Sequence, residues 1–205
     1  MTGLRQRKRD RTREALVASA VRLFAERGYD GVTVAEIAEE AEVGARTFFA
    51  YFASKEDLLF PDAQLRVSAA VDALRDHAPG EAPMSALVRA LDSAGVTGSD
   101  MTSDAARLRM RLIAESPVVQ GRALRYQAEA QDAIARQLRA SYPDDYDEVA
   151  AAAVVGAFVG AVTAALRAVF DASAGEASPG VEEDRRARVR EATERALAPW
   201  LHPRS

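Results

Sequence analysis

The chain has 205 residues, 48% of them hydrophobic, a formal net charge of -4 and no cysteine. This length and apolar content allow one or two compact units with a sizeable core. Without cysteine the chain cannot form disulfides or thiolate metal sites, which suits a reducing cytoplasm. The first residues are charged and lack the apolar stretch of a secretory signal, so we expect a cytoplasmic protein.

Basic side chains are concentrated at the N-terminus of a chain that is acidic overall. Residues 1–13 contain one acidic side chain, Asp10, and six basic ones: Arg5, Arg7, Lys8, Arg9, Arg11 and Arg13. The net negative charge argues against a nucleic-acid partner, but a local positive field attracts phosphate. The basic stretch is either a solvated, disordered tail or an arm that becomes ordered on DNA.

A first helix is predicted over residues 12–27, where apolar side chains recur at helical spacing: Leu16, Ala20, Leu23 and Phe24. Gly28 follows, and glycine readily adopts the left-handed conformation that ends a helix. We expect Tyr29 to fold back onto the last turn.

Two short amphipathic helices are predicted over residues 33–52. Thr33 and Glu36 have the spacing of a capping box, in which each side chain bonds a backbone amide of the other residue. Ile37 and Ala38 then fall on one apolar face, and a turn at Glu42 and Val43 follows.

The second of these helices has its aromatic side directed inward, because Phe48 and Phe52 are four residues apart. A helix-turn-helix of this kind places its second helix in a DNA groove. The residues left on its remaining faces are Gly44, Ala45, Arg46, Thr47, Phe49 and Tyr51.

The remainder of the chain is predicted to be helical. Ser54 and Asp57 have the spacing of a weaker capping box, and Pro61 interrupts the helix that would begin there. Proline and glycine signals separate further helices over residues 62–78, 83–94, 100–115, 117–141, 144–172 and 182–201. The sequence therefore predicts an all-α protein of about nine to ten helices. Its domains are residues 1–60, a three-helix helix-turn-helix domain with a basic arm, and residues 61–205, a larger helical domain.

The first sixty residues resemble the tetracycline-repressor (TetR) family of transcriptional regulators. The resemblance rests on residues 18–28 (ASAVRLFAERG) and 29–37 (YDGVTVAEI), followed by Val43, Gly44, Arg46, Thr47, Phe49, Tyr51, Phe52, Ser54, Lys55 and Glu56. It implies a DNA-binding domain followed by a ligand-binding and dimerisation domain, in a homodimer that binds a palindromic double-stranded operator.

The resemblance also implies roles at DNA. Thr33, Tyr51 and Lys55 match phosphate contacts, and residues 44–47 form the first turn of the recognition helix. Arg46 is the candidate for reading guanine, because a guanidinium can donate two hydrogen bonds to that base; a phosphate contact or a partner within the protein is the alternative. Within the basic arm, Arg7 and Arg9 are the residues predicted to bind DNA. The family usually has tyrosine at Phe49 and often glycine at Glu42, so we expect the contacts to differ there.

A stripe of small residues, Ala152, Gly156, Gly160 and Ala164, recurs every four positions on the penultimate helix and allows another helix to approach closely. Packing within the chain and contact between subunits explain this stripe equally well. The resemblance favours a homodimer joined by the last two helices, with Trp200 as an anchor. The stretch 149–166 is apolar, but it is short and rich in alanine and glycine, so we expect no membrane span.

The resemblance further implies a pocket whose ligand releases DNA. Its predicted wall is Leu65, Leu108, Leu112, Tyr126 and Phe158, although a residue of this kind is more often part of the ordinary core. The run RTFFAYFASKEDLLFPD looks like that of mycofactocin-type regulators, which suggests an apolar or acyl-type effector.

Other classes of function remain as alternatives. The two histidines, His77 and His202, do not form a familiar catalytic constellation with a carboxylate, and no phosphate-binding loop is present. We therefore expect no enzyme, no cofactor and no metal site. An enzyme with a site assembled in space, or a helical adaptor that has lost DNA binding, remains the competing hypothesis.

Overall fold

The structure, a computed structural model, describes residues 2–95, 103–172 and 181–201. These residues form nine α-helices and one 3-10 helix, with no strand within those ranges. The helices are α1 (Thr2–Arg27), α2 (Val34–Glu40), α3 (Ala45–Phe49), the 3-10 helix (Glu56–Leu59), α4 (Ala63–Arg75), α5 (Pro83–Ser93), α6 (Asp104–Glu115), α7 (Pro117–Ser141), α8 (Glu148–Ala172) and α9 (Val181–Leu201). The predicted all-α fold is confirmed.

Helix α1 begins ten residues before its predicted start at residue 12. The prediction followed the apolar stripe, whose first member is Leu16. The preceding residues are polar, but arginine, lysine and glutamine are good helix formers. Gln6 Nε2 also donates a hydrogen bond to Asp10 Oδ1 at 2.8 Å, one helical turn away. The basic stretch is therefore helical in the free chain and not a disordered tail.

Helix α1 ends as the sequence predicts. Gly28 has a φ of 72°, in the left-handed region, and its amide donates to Phe24 O at 3.0 Å. Tyr29 folds back so that its ring centroid lies 5.6 Å from that of Phe24. Gly31 is needed for a different reason, because a Cβ there would lie 2.6 Å from Arg27 O.

The predicted capping box of Ser54 and Asp57 is wrong. The 3-10 helix begins after Lys55 and has no side-chain hydrogen bond at its N-cap. Asp57 is instead buried, and Arg122 Nε donates to its Oδ1 at 2.6 Å. A carboxylate inside a core is stabilised by such a charged partner more than by a backbone amide at a solvated cap.

The chain divides into two compact units. The first comprises Met1–Pro61 and Arg111–Ala123, and the second comprises Asp62–Met110 and Leu124–Ser205. The boundary after residue 60 stays a prediction, and the sequence analysis did not foresee that residues 111–123 belong with the N-terminal residues. Their pairing depends on side chains far apart in sequence, such as Asp57 and Arg122.

Each unit has its own apolar interior. In the first unit Leu16, Phe24, Ile37 and Phe48 are fully buried. The second is built around a cluster of buried residues from α4, α5, α6, α7, α8 and α9, among them Leu74, Leu87, Leu138, Val155 and Val189.

A hydrogen-bonded ion pair in the second unit closes the connection between α4 and α5. Arg89 Nε and Nη2 donate to the two carboxylate oxygens of Glu81 at 2.9 and 2.8 Å, and Arg89 Nη1 donates to Ala73 O at 2.8 Å. The hydrogen bond from Arg89 is the main cause that lowers the pKa of Glu81 to about 2.

Candidate nucleic-acid interface

The first helix of the motif starts with the predicted capping box. Glu36 N donates to Thr33 Oγ1 at 3.3 Å, while the amide and hydroxyl of Thr33 donate to Glu36 Oε2 at 2.8 and 2.7 Å. Arg27 also donates to the Glu36 carboxylate. The hydrogen bonds from Arg27, and then from Thr33, lower the pKa of Glu36 to about 2. The Glu36 carboxylate therefore accepts the hydrogen bonds of the Thr33 amide and hydroxyl, the groups that were predicted to contact a phosphate.

The turn between α2 and α3 is tight. Val43 N donates to Ala38 O at 2.8 Å, and Ala38 is buried, as a close helix crossing requires. Glu42 has a φ of 55°, so a residue with a bulky side chain occupies the left-handed position for which glycine is favoured.

The second helix, α3, is fixed by its aromatic residues. Phe48 and Phe52 are 0% and 6% exposed, with their ring centroids 6.0 Å apart, which confirms the predicted inward face. Phe49 is 59% exposed and packs edge-on against Phe48. Its position at the surface leaves an apolar ring available to a sugar or a thymine methyl group.

The outward face of α3 is open. Gly44, Ala45 and Arg46 are exposed, and Thr47 and Tyr51 are half-buried. Gly44 is the N-cap, with a φ of -77° that any residue adopts, and a Cβ there would meet nothing within 4 Å. The fold thus does not require glycine at this position, and a close approach by a partner would account for it.

Arg46 makes no hydrogen bond or ion pair with the part of the chain that the structure describes, and its side chain is exposed. An arginine kept in this state retains all its donors for a partner. Of the alternatives for Arg46, a partner within its own chain is therefore not supported.

Lys55 has a structural position that the sequence analysis missed. Its Nζ donates to Tyr29 O at 2.8 Å and to Val32 O at 2.9 Å, and it lies 3.9 Å from the Tyr29 ring centroid. The Tyr29 hydroxyl donates in turn to Glu56. These bonds hold the connection between α1 and α2 against the 3-10 helix, so the phosphate role of Lys55 stays a prediction.

Tyr29 and Glu56 have opposite pKa shifts. Burial, followed by the hydrogen bond to Glu56, raises the pKa of Tyr29. Burial also acts to raise the pKa of Glu56, but hydrogen bonds from Ser54 and Tyr29 outweigh it and hold this pKa below its ordinary value. The phenol is therefore neutral and the carboxyl is ionised at neutral pH.

Two arginines of α1 lie over rings that follow α3. The Arg9 guanidinium carbon is 5.8 Å from the Tyr51 ring centroid, and that of Arg13 is 5.6 Å from the Phe52 centroid. Arg13 also donates to Pro61 O. Sequence reasoning missed Arg13, although its position three residues before Leu16, on the edge of the apolar stripe, is a signal that predicts such packing.

The residues predicted to line an effector pocket lie in different settings. Leu108, Leu112 and Phe158 are buried, whereas Leu65 is 66% exposed. Tyr126 lines a cavity of about 280 Å³ between α4 and α7, together with Ala63, Gln64, Val67, Glu129, Asp132, Ala133 and Arg136. A second cavity, of about 600 Å³, lies at the end of α7 and is lined by Arg136, Arg139, Ala140, Pro143, Asp144, Asp145, Tyr146 and Asp147. The predicted pocket stays a prediction.

The predicted dimer face on α8 is largely open within the described part of the chain. Ala152 and Ala164 are exposed and Gly156 and Gly160 are half-buried, and a Cβ at either glycine would meet nothing within 4 Å. Trp200 lies in α9, but its side chain is outside the described residues. By length and composition alone α8 could cross a membrane, and 28% of its most apolar stretch is buried within the chain. A single helix of this kind is weak evidence for a membrane span. Among the described residues no group of three or more histidine, aspartate or glutamate side chains could hold a metal ion.

Comparison with known proteins gives consistent matches along the chain. Residues 16–60 match the family described as bacterial regulatory proteins, tetR family, and residues 81–189 match the family described as MftR C-terminal domain. The chain is 35% identical over 156 residues to the HTH-type transcriptional regulator TcmR of Streptomyces glaucescens, covering 71% of this chain and 67% of TcmR. It is 29% identical over 130 residues to MftR of Mycobacterium tuberculosis, a candidate mycofactocin biosynthesis transcriptional regulator, covering 63% of this chain and 65% of MftR.

A solved structure also shares the fold. The TetR-family repressor FadR of Thermus thermophilus, in complex with lauroyl-CoA, superposes with a TM-score of 0.58 and 21% identity, covering 94% of this chain and 97% of FadR. At this identity the likeness concerns the fold alone.

Proposed function

Because the chain belongs to the TetR family of transcriptional regulators and is not an enzyme, we propose that it binds a palindromic operator as a homodimer and represses transcription until an effector releases it. A two-fold symmetric dimer presents two recognition helices, and their separation must match the spacing of the operator half-sites. In this proposal the protein acts in the cytoplasm, where operator DNA is accessible.

The observation that carries the proposal is the open face of α3. Phe48 fixes the helix from inside, while Gly44, Ala45, Arg46 and Phe49 are exposed on the outside. In this arrangement Arg46 reads a guanine edge in the major groove, and Phe49 contacts a thymine methyl or a sugar. Thr47 is the further polar group on the same turn.

Replacing Arg46 by alanine tests the direct readout. We expect Arg46→Ala to relax sequence preference at one base pair of each half-site by roughly 1 to 3 kcal/mol, because a bidentate pair with guanine is lost. The measurement is binding to a randomised duplex library, followed by affinities for the selected site and its single-base variants. Arg125→Ala removes the same charge from an exposed position on α7 and should leave the preference unchanged. An identical preference in wild type and Arg46→Ala would contradict the assignment.

The phosphate contacts need a variant that leaves the fold intact. Lys55→Ala would also release the bonds to Tyr29 O and Val32 O, so it cannot separate DNA contact from stability. Tyr51→Phe removes one hydroxyl and keeps the ring that packs beneath Arg9. We expect it to weaken all duplexes by a similar factor, which is the behaviour of a phosphate contact.

The homodimer is supported by the uncovered stripe on α8. Small side chains at Ala152, Gly156, Gly160 and Ala164 permit a close helix crossing. Among the described residues, a Cβ at either glycine would meet nothing within 4 Å. Trp200, near the end of α9, is the proposed anchor of the dimer.

The proposed effector is a small apolar or acyl-type molecule. FadR of Thermus thermophilus was solved with lauroyl-CoA, and the present chain has a cavity between α4 and α7 with Val67 and Tyr126 on its wall and Arg136 beside them. Ala63, Val67 and Ala133 give this wall an apolar part that suits an acyl chain. Arg136 is the basic group for an anionic head, and it lies beside the carboxylates of Glu129 and Asp132. Differential affinity of this ligand for the non-binding conformation would release DNA.

Thermal-shift assays with fatty acids and acyl-CoA test the effector. A ligand at 100 times its dissociation constant adds about 2.7 kcal/mol to the free energy of unfolding. We expect Tyr126→Ala to reduce the shift, and Tyr146→Ala, which alters the other cavity, to leave it unchanged. A panel without any shift would contradict an acyl effector but not DNA binding. The adaptor hypothesis predicts, in contrast, no salt-dependent binding to any duplex.

A further inference from the structure

Five arginines in the first half of α1 are divided between opposite faces of the helix. Arg5, Arg9 and Arg13 are spaced four residues apart and therefore share a face. Arg7 and Arg11 are each two residues from Arg9, which places them about 160° away around the helix. Equal charges on the two faces would attract DNA equally at long range. Any difference between the faces in their effect on DNA affinity must therefore come from direct contact with DNA.

The Arg5–Arg9–Arg13 face is oriented by contacts with the recognition motif. Arg13 lies over Phe52, bonds Pro61 O and is half-buried, and Arg9, one turn earlier, lies over the Tyr51 ring. Both aromatic residues lie within three positions of the end of α3. The orientation of α1 about its own axis is thereby fixed relative to the helix-turn-helix, within a single compact unit.

The first part of α1 is available to a partner. Residues 3–11 are exposed, so this part of the helix is not covered by the rest of its unit. Arg5 is one turn beyond Arg9, a rise of about 6 Å along the helix axis. A guanidinium stacked on a ring keeps the N–H groups at its edge free to donate, so Arg9 can stack on Tyr51 and bind an anion together with its phenol.

We propose that the Arg5–Arg9 face of α1 is a second DNA-binding surface, which binds backbone phosphates beside those contacted through Tyr51 and extends the footprint beyond α3. This inference rests on the proposed DNA binding and assigns the contact to one helix face. Arg9 and Tyr51 would bind one phosphate together, and Arg5 would bind the next phosphate outward. Arg7, which the sequence grouped with Arg9, lies on the other face.

Two charge-matched double variants test the assignment. Arg5→Gln/Arg9→Gln and Arg7→Gln/Arg11→Gln each remove two positive charges and retain similar helix propensity. Binding to a labelled mixed-sequence duplex is measured by fluorescence anisotropy over a series of NaCl concentrations. Each neutralised phosphate contributes about 0.9 to the slope of log K against log[salt], so the first variant should reduce the slope by about 3.6 in a dimer with two arms. The second should change it by less than half of that.

A single substitution tests the contribution of the arm without changing the contact between Arg9 and Tyr51. Arg5 is one turn away from the Arg9–Tyr51 contact, so Arg5→Gln leaves that contact in place. It should reduce the slope of log K against log[salt] by about 1.8 in the dimer, whereas Arg7→Gln should leave this slope nearly unchanged. Circular dichroism at 222 nm should be equal for all variants, which shows that the helix is retained.

The outcomes distinguish this inference from the function on which it rests. If wild type binds with a steep salt dependence and Arg46→Ala relaxes its preference, but the two double variants have equal slopes, the face assignment is wrong and the proposed function stands. An unchanged slope in Arg5→Gln/Arg9→Gln has the same meaning. If wild type does not bind duplex DNA at all, both are overturned.

Discussion

Glu42 stores backbone strain in the turn of the helix-turn-helix, with a φ of 55°. A left-handed conformation costs an L-residue roughly 1 to 2 kcal/mol, and glycine avoids this cost. The greater conformational freedom of glycine in the unfolded chain offsets part of the resulting gain in stability. We expect Glu42→Gly to raise the free energy of unfolding by about 1 kcal/mol, measured by urea titration. Glu42→Ala, which removes the carboxylate and keeps a Cβ, should not stabilise. A gain of the same size in both variants would show that charge, not backbone strain, is responsible.

Glu36 connects the stability of the motif to pH. Its pKa is lowered from an ordinary value of 4.5 to about 2 by hydrogen bonds from Arg27 and then Thr33. The folded chain therefore holds this proton less tightly than the unfolded chain. The stabilisation is fully present above pH 4.5 and is lost as the pH falls from 4.5 towards 2.

Glu36→Gln should therefore flatten the loss of stability over that range of pH. The measurement is the unfolding midpoint at a series of pH values, with Glu39→Gln as the control on the exposed side of the same helix. Glu81 contributes a similar slope through Arg89, so part of the acid dependence should remain. Identical acid profiles for Glu36→Gln and wild type would contradict the capping-box account.

At the scale of elements, the ion pair of Asp57 and Arg122 joins the 3-10 helix to the first turns of α7. Arg122 Nε and Nη2 both lie 2.6 Å from Asp57 Oδ1, and Asp57 is 7% exposed. Removing one partner leaves the other as a poorly solvated charge, which costs about 3 kcal/mol. We expect that loss of unfolding free energy in Asp57→Ala and a similar or smaller loss in Arg122→Ala.

A double-mutant cycle measures the coupling of this pair. The double variant Asp57→Ala/Arg122→Ala should lose much less than the sum of the two single variants, because each single variant already breaks the interaction. Additive losses would show that the two residues act independently.

The helices themselves were largely predictable. The predicted range 117–141 coincides with α7, and 83–94 differs from α5 by one residue at its end. Proline and glycine punctuation is local chemistry that acts without the rest of the fold. The larger errors lie at helix ends that no proline or glycine marks. For example, 144–172 was predicted for α8, which begins at Glu148 after Asp147 Oδ1 accepts a hydrogen bond from Ala150 N.

At the scale of the whole molecule, α8 has an apolar surface that the described residues of the chain leave open. A Cβ at Gly156 or Gly121 would meet nothing within 4 Å, so a side chain at either position can leave the helix without an initial clash. Gly156 lies on the proposed dimer face and Gly121 lies on α7. Leucine also improves helix propensity over glycine by about 1 kcal/mol.

We expect Gly156→Leu to shift the homodimer towards monomer, because a large side chain separates two helices that must cross closely. Sedimentation equilibrium measures the association constant, and Gly121→Leu is the control that should leave it unchanged. Operator affinity should fall with Gly156→Leu, since two recognition helices must be presented together. A dimer of unchanged affinity would place the subunit interface elsewhere.

The sequence by itself determined the all-α fold, the capping box of Thr33 and Glu36 and the inward face of Phe48 and Phe52. All of these follow from the spacing of residues a few positions apart, where helix geometry alone sets which side chains meet. The open face of α3 follows from the same spacing.

Only the tertiary structure decided which polar groups remain available. It tied the Lys55 ammonium to Tyr29 O and Val32 O, placed Arg9 over Tyr51 and paired Asp57 with Arg122. The residues joined by these hydrogen bonds are 23 to 65 positions apart in the sequence. Such pairs form because burial makes an unmatched charge costly, and no local pattern encodes which distant group will supply the match.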